Sequence, residues 1–396
     1  MNLSERIKQL AKANHENVVS NRRQIHQHPE LSFHEFETQK FVETKLRSIG
    51  ITDIEHKANT GIIALIKGKN SDKKVIALRG DMDALPITEQ NKTDYISKNI
   101  GVMHACGHDV HTSSLLGAAS ILFQIKEEFE GTIKLIFQPG EEKLPGGASL
   151  MIKEGALTNP EVKSIIGQHV MPLLPVGKVG FREGLYMAST DELYVKVKGK
   201  GGHGAMPQFN IDPVVIAANI IISLQQIVSR MANPTIPSVL SFGKVIADGA
   251  TNVIPDEVYM EGTFRTLDEK WRGEAHTKMI NMSEMIAESM GGSCEFEVRK
   301  GYPFLKNDID LTKRSKKYAE EYLGKENVVD LDIWMAAEDF SYYSQEIPAC
   351  FYRLGTRNEE KGIISSVHTP TFDIDEHALE IGAGLMAWIA INELKI

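Results

Sequence analysis

Three cysteines in 396 residues leave no room for a disulfide framework. Cys106, Cys294 and Cys350 are far apart and odd in number, so a reducing compartment is the simpler reading. Positive charge is also in short supply. Lys and Arg number 44 against 53 Asp and Glu, a formal charge of −9, which argues against the basic face that a nucleic-acid partner requires. Long hydrophobic runs are missing too. The longest apolar-rich stretch, Val214 to Leu224, falls far short of a bilayer span and suits a buried helix, so no membrane attachment is expected. The opening Met1-Asn-Leu-Ser-Glu-Arg-Ile-Lys lacks the apolar core of a secretory signal, and a cytoplasmic protein is expected. No repeat or low-complexity tract is evident. What remains is an ordinary globular composition, 42% hydrophobic and 24% charged, in a chain longer than a single core usually serves.

The densest chemistry lies in Gly101 to His111, which carries one thiol, three imidazoles and a carboxylate. Cys106 and His108 flank Gly107. In an extended segment, residues two apart point the same way, and a glycine between them allows close approach to a shared target. A sulfur and an imidazole aimed at one point suit a borderline-soft divalent ion such as zinc. A lone Cys-x-His proves little, and on this stretch alone a plain polar turn is the more frequent explanation.

Taken in order, the first fifty residues read as helices, with Leu3, Ile7, Leu10 and Ala11, then Phe41, Val42, Leu46 and Ile49, at helical spacing. Arg22 to Glu35, with His26, His28 and Pro29, reads as the loop between them. Strands follow at about 60–67 and 74–80. The second is a nearly continuous apolar run that ends in Asp81-Met82-Asp83. A helix is expected over 111–125, then a strand over 132–137 that ends in Gln138-Pro139-Gly140-Glu141-Glu142. A strand over 164–167 ends in Gln168-His169. Each apolar strand thus stops at a side chain able to hold a metal. If the sheet is mostly parallel, these endings converge on one crevice, where open α/β sheets place their ligands. Adjacent acids repel and usually mark a solvated turn; a nearby cation reverses that logic.

Residues 185–300 change rhythm. Leu193, Val195 and Val197 alternate with polar neighbours, as in a half-exposed strand. A glycine-rich loop around His203 and a helix capped by Asp212-Pro213 come next, then strands near 238–245 and 257–265, a helix over 269–290 and a strand over 294–299. That order, β-α-β-β-α-β, is the ferredoxin-like split unit. It divides the chain into a first α/β part (1–184), an inserted α+β satellite (185–300) and a returning α/β part (301–396). The last part carries Ala337-Glu338-Asp339-Phe340-Ser341, a short strand at 351–355, a loop with His368, and a closing helix over 376–393.

These motifs resemble the N-acyl-amino-acid amidohydrolases, the branch of dinuclear metallopeptidase-like enzymes that includes aminoacylases, hippurate hydrolases and auxin-conjugate hydrolases. The likeness rests on Arg22-Arg23…His26…Pro29-Glu30-Leu31, Gly80-Asp81-Met82-Asp83-Ala84-Leu85-Pro86, His104-Ala105-Cys106-Gly107-His108-Asp109, Gln138-Pro139-Gly140-Glu141-Glu142, Gly201-Gly202-His203-Gly204-Ala205-Met206-Pro207 and His368-Thr369-Pro370. It spans nearly the whole chain. The resemblance implies a mostly parallel-sheet metallopeptidase-like catalytic domain with the satellite inserted as a lid and dimerisation module. It implies Cys106, His108, Glu142, His169 and His368 as ligands of two divalent ions, manganese or zinc, with cobalt and nickel as further candidates. Glu141 matches the general base. His203 matches a satellite histidine that in relatives reaches the active site of the dimer partner. Asn252 and Arg265 lie where relatives hold the substrate carboxylate. Dipeptidase relatives place a histidine where this chain has Asp81, so Asp81 and Asp83 are read as supporting groups.

The implied substrate is a small N-acyl amino acid and the implied assembly a homodimer or dimer of dimers. On residue chemistry alone, His203 reads as a surface-loop histidine and Arg265 as either a carboxylate clamp or a strand-edge ion pair. Rival readings are a dipeptidase or carboxypeptidase, a thiol amidase using Cys106 with His108, and a small-molecule binding module without catalysis.

Overall fold

The computed structural model describes residues 2–396 and resolves them into two compact units. The first takes the chain up to Tyr186, Lys306–Ile333 and Asp339–Ile396. The second takes Met187–Leu305 and Trp334–Glu338.

In the first unit the apolar runs become the centre of an eight-stranded sheet. Val75–Asp81 and Thr132–Gln138 are buried at every position, as strands covered on both faces are. Thr132–Gln138, Val75–Asp81, Ser164–Pro175 and Ala349–Arg357 lie side by side and all parallel. Gly61–Lys67 and Ile54–Lys57 extend one side antiparallel. Val179–Phe181 and Val328–Asp330 extend the other. The helices Leu3–Gln27, His108–Gln124 and His377–Glu393 pack on one another. The last two are buried almost all round, so they carry no polar stripe and belong in a core.

The second unit holds a four-stranded antiparallel sheet in the order Ser238–Ile246, Glu257–Thr266, Asp191–Lys198, Ser293–Lys300. The helices Pro213–Gln226 and Glu269–Ser289 supply the remainder of its core, through residues such as Ile216, Ile220, Ala275 and Met279. Asp212 accepts from the N–H groups of Val214 and Val215, and Pro213 opens the helix. This is the spatial order of the split β-α-β unit.

Four expectations need correction. The first helix runs on to Gln27, so Arg22, Arg23 and His26 are helical; Pro29 constrains only the residue before it. The strand from Ser164 continues to Pro175, so His169 sits within it and not beyond its end. The helix after Gly107 starts at His108 and not at His111. The segment Trp334–Glu338 clusters with the second unit, because Trp334 bridges Met187 and Ala188 N–H donates to the carbonyls of Trp334 and Ala336. Among the described residues, one helical stretch, Pro213–Met231, is long and apolar enough to cross a membrane by length and composition. Its apolar length exceeds the Val214–Leu224 run because a π-helical turn, Ile227–Met231, prolongs it.

Candidate metal centre

Gly107 brings its two neighbours together by a turn, not by strand alternation. It adopts φ +82° as the cap of the His108–Gln124 helix, and a Cβ there would lie 2.6 Å from Val170 Cγ2. Cys106 therefore precedes the helix and His108 begins it. The parallel strands deliver the other groups. Glu141 and Glu142 follow the end of Thr132–Gln138, and His169 comes from Ser164–Pro175. His368 comes from the loop before the last helix, where its backbone N–H donates to Ala105 O at 2.7 Å.

The donor atoms are close. Cys106 Sγ stands 3.5 Å from His169 Nε2 and 3.3 Å from His368 Nε2. His368 Nε2 stands 3.3 Å from Glu142 Oε1, which is 3.9 Å from His108 Nε2. Nitrogen, oxygen and sulfur donors sharing one tetrahedral ion, at about 2.0–2.3 Å each, stand about 3.2–3.6 Å from one another. Two triads that include Cys106, Cys106–His108–His169 and Cys106–Glu142–His368, gather their donor atoms within 4.8 Å of one another, and His108–Glu141–Glu142 does so beside them. His108 Nε2 and Glu142 Oε1 are buried and find no hydrogen-bond partner in the protein. Two orphaned donor atoms aimed into one cluster of N, O and S ligands fit a divalent cation.

Around the cluster, the ring orientations are set by neighbours. Asp83 Oδ1 lies 3.1 Å from His108 Nδ1, which turns Nε2 inward. His169 Nδ1 donates to Val170 O at 2.7 Å, which leaves its Nε2 to face Cys106. Burial and the carboxylates Glu142 and Glu141 push the Cys106 thiol well above its ordinary range. Burial pulls His108 down, but Asp81, Asp83 and Glu142 outweigh it and raise the imidazole to about 10. Burial and then Arg353 hold His169 well below its usual value. A cation at the cluster would invert the thiol's preference. Both adjacent acids reach the cluster: Glu142 Oε1 lies 3.3 Å from His368 Nε2, while Glu141 Oε2 lies 4.0 Å from His108 Nε2 and its Oε1 accepts from Asp339 N–H at 3.4 Å.

Asp81 and Asp83 hold the frame. Asp81 accepts from Arg79 Nη1 and from His111 Nδ1. Burial raises its carboxyl, yet Arg79, His108 and His111 hold it well below the usual range. Asp83 takes the backbone N–H groups of Glu141 and Glu142, both at 3.0 Å, and the Ser32 hydroxyl at 2.6 Å.

The second unit carries His203, Asn252 and Arg265. His203 pairs in register with Val253, and Gly204 N–H donates to Asn252 O at 2.8 Å, so His203 and Asn252 are neighbours on the same exposed loop pair. Arg265 is remote in sequence and half-buried, and its Nη1 donates to Met335 O at 3.2 Å.

Several groups near the cluster were missed by sequence reasoning. Arg79 is fully buried and ties Gln138, Asp81 and Asp339 together; a lone arginine inside an apolar strand was the available signal. Arg22, Asp109, His26 and Glu89 form a buried charged chain under the first turn of the His108 helix. Glu35 is fully buried beneath the Pro139–Glu142 turn.

The family model described as Peptidase family M20/M25/M40 matches residues 77–392. The chain belongs to this family. M20 members similar to it include the N-acetylcysteine deacetylase of Bacillus subtilis, 40% identical over 386 residues, covering 97% of this chain and 98% of that protein. The Arabidopsis thaliana IAA-amino acid hydrolase ILR1-like 2 is 40% identical over 380 residues, covering 96% and 85%. Among solved structures, the Bacillus subtilis YXEP protein, a dinuclear metal binding peptidase from the M20 family, superimposes with a TM-score of 0.83 at 38% identity, covering 97% of this chain and 99% of that one. The chain is accordingly an M20 metallo-amidohydrolase, with a mostly parallel catalytic sheet.

Proposed function

We propose that this M20 chain hydrolyses the amide bond of N-acyl amino acids, giving the free amino acid and a carboxylic acid. Cys106, His108, Glu142, His169 and His368 would hold two divalent ions, manganese or zinc. Such ions would supply Lewis acidity there, making a water easier to deprotonate and the scissile carbonyl more electrophilic. The observation that carries the reading is the gathering of thiol, imidazole and carboxylate donors around Cys106 and His108, with a second acid, Glu141, beside them. Glu142 lies against His368, while Glu141 has one oxygen held by Asp339 N–H and the other facing the cluster, where it is available to take a proton from the attacking water and pass it to the leaving amine. His203, on its glycine-rich loop, is assigned to the developing oxyanion. Asn252 and Arg265 are assigned to the substrate carboxylate. The names of the deacetylase and IAA-amino acid hydrolase relatives support an N-acyl amino acid over a peptide.

Self-association through the second unit is part of the same reading. Val214, Val215 and Ile222 leave an apolar face of the Pro213–Gln226 helix exposed, and a homodimer or dimer of dimers would cover it. The three unpaired cysteines support a cytoplasmic setting.

The test is a metal-reconstituted panel of N-acetyl amino acids, N-benzoylglycine, indole-acetyl amino acids and dipeptides, read by free-amine release. Metal-dependent turnover of the N-acyl compounds is expected. Preference for dipeptides or for C-terminal residues of longer peptides would assign the chain to peptidase chemistry, and no turnover on any of them would reject the proposal.

A further inference from the structure

Three successive backbone N–H groups in the turn after the Thr132–Gln138 strand point into the protein, not to solvent. Gly140 N–H donates to Glu35 Oε1 at 2.8 Å, Glu141 N–H to Asp83 Oδ1 at 3.0 Å, and Glu142 N–H to Asp83 Oδ2 at 3.0 Å. The turn that carries both glutamates is thus suspended from two buried carboxylates. Asp83 is also tied to His108. Glu35 touches none of the metal-site residues and has no part in the mechanism above.

Its surroundings are unusual for a residue with only a packing role. Glu35 is fully buried, and burial together with Asp83 pushes its carboxyl up to about 7. A buried carboxyl is costly unless its hydrogen bonds are made. Here they are: Oε1 accepts from Phe33 N–H at 2.9 Å as well as from Gly140, and Oε2 accepts from Thr60 Oγ1 at 2.5 Å. Phe33 itself adopts φ +67°, a left-handed conformation that is unfavourable for a bulky side chain. Its ring occupies the space a side chain on residue 140 would need, since a Cβ on Gly140 would lie 2.3 Å from Phe33 Cε1. Gly140, at φ +57°, is therefore seated under an aromatic ring and hung from a carboxylate that also fixes that ring's backbone.

We propose that Glu35 is a positioning residue of the metal centre: by accepting the Gly140 N–H it sets the turn that presents Glu142 to the cations and Glu141 beside it. The role belongs to the acceptor oxygen and its reach, not to the charge. It rests on the metal assignment made above but not on the choice of substrate.

The test compares Glu35→Ala, Glu35→Gln and Glu30→Ala with the unaltered protein. Glu30 is the control, because it accepts from Thr38 N–H and Glu37 N–H nearby yet caps only the Phe36–Ile49 helix. Mn²⁺ affinity is measured by calorimetric titration of the metal-free protein, and kcat and KM by free-amine release. Glu35→Ala is expected to lose about 10–100-fold in Mn²⁺ affinity and in kcat, the usual cost of removing a group that orients ligands from behind, with KM little moved. Glu35→Gln keeps the acceptor oxygen and recovers most of the loss, and Glu30→Ala titrates as the unaltered protein does. Unchanged Mn²⁺ affinity in folded Glu35→Ala overturns the proposal, as does a Glu35→Gln that falls as far as Glu35→Ala. If Glu35→Ala does not fold, Glu35→Asp serves: it keeps the charge, withdraws the acceptor by one methylene, and must lose affinity. The titration needs no substrate, so an unaltered protein that binds metal yet cleaves no N-acyl amino acid would sink the substrate reading and leave this one standing.

Discussion

The backbone N–H of Val170 donates to His111 Nε2 across 2.9 Å. A backbone amide can only donate, so Nε2 is the bare nitrogen and the proton sits on Nδ1, which is 2.6 Å from Asp81 Oδ1. His111 is therefore neutral, in agreement with the downward pull of burial on its titration. It links the end of one parallel strand to the residue next to His169 in another. His111→Ala leaves a buried N–H and half of a buried carboxylate unpaired. A loss of about 2–4 kcal/mol is expected in urea unfolding of the metal-free protein. A change below about 0.5 kcal/mol would show that the link contributes little to stability.

Glu141→Gln is isosteric and leaves the ligand set untouched. It is expected to retain both metal ions by elemental analysis while turnover falls by at least about 10²-fold, the lower range for a lost general base. Substantial residual hydrolysis with full metal content would remove Glu141 from that role.

Cys106 belongs to both donor triads, whereas His169 and His368 each belong to one. Cys106→Ala should therefore weaken both ions together, and His169→Ala or His368→Ala one ion preferentially. Stoichiometry by metal titration distinguishes the two patterns. The same arrangement predicts that bound metal shields Cys106 from iodoacetamide and that chelation exposes it. A thiol amidase would behave the other way, inactivated by alkylation whether or not metal is present.

His26 stands buried between Asp109 Oδ2 at 2.8 Å and Glu89 Oε1 at 3.1 Å. Burial and Arg22 lower its affinity for a proton, but the two acids prevail and the net shift is upward. A raised value in the folded state means that its stabilisation is complete below the unfolded value, about 6.5, and fades as pH climbs through the folded one. The stability gap between the unaltered protein and His26→Gln is thus expected to be wider at pH 6 than at pH 9. A gap independent of pH in urea melts would show that His26 stays neutral in the fold.

The strands and the inserted unit were legible because each depends on local sequence, whereas the full donor set around Cys106, His368 included, came from the family resemblance. Apolar runs such as Val75–Leu78 specify buried strands, and the residues ending them must emerge along one edge of a parallel sheet. The supporting groups were not legible, because nothing near Arg79, Glu35 or Arg22 in the sequence reveals the partner it meets. Arg22 pairs with Asp109, 87 positions away, and Arg79 with Asp339, 260 positions away. The start of the His108 helix was misplaced for a related reason. Gly107 was read as a spacer in an extended segment, while its left-handed backbone in fact caps the helix. The Trp334–Glu338 segment was misassigned because a five-residue excursion has no periodicity to read.

The order of the chain also bears on its synthesis. The Ser164–Pro175 strand pairs on one side with Val75–Asp81, but its other neighbour, Ala349–Arg357, is separated from Pro175 by 173 residues of chain. At about 5–20 residues per second, a ribosome needs about 9–35 s to make what lies between. Throughout that interval the nascent first unit offers an open apolar edge to any other chain, while the second unit receives its fourth strand, Ser293–Lys300, before the interval ends. Misassembly of this protein should therefore begin at Ser164–Pro175, and a chaperone acting during translation would find its work there.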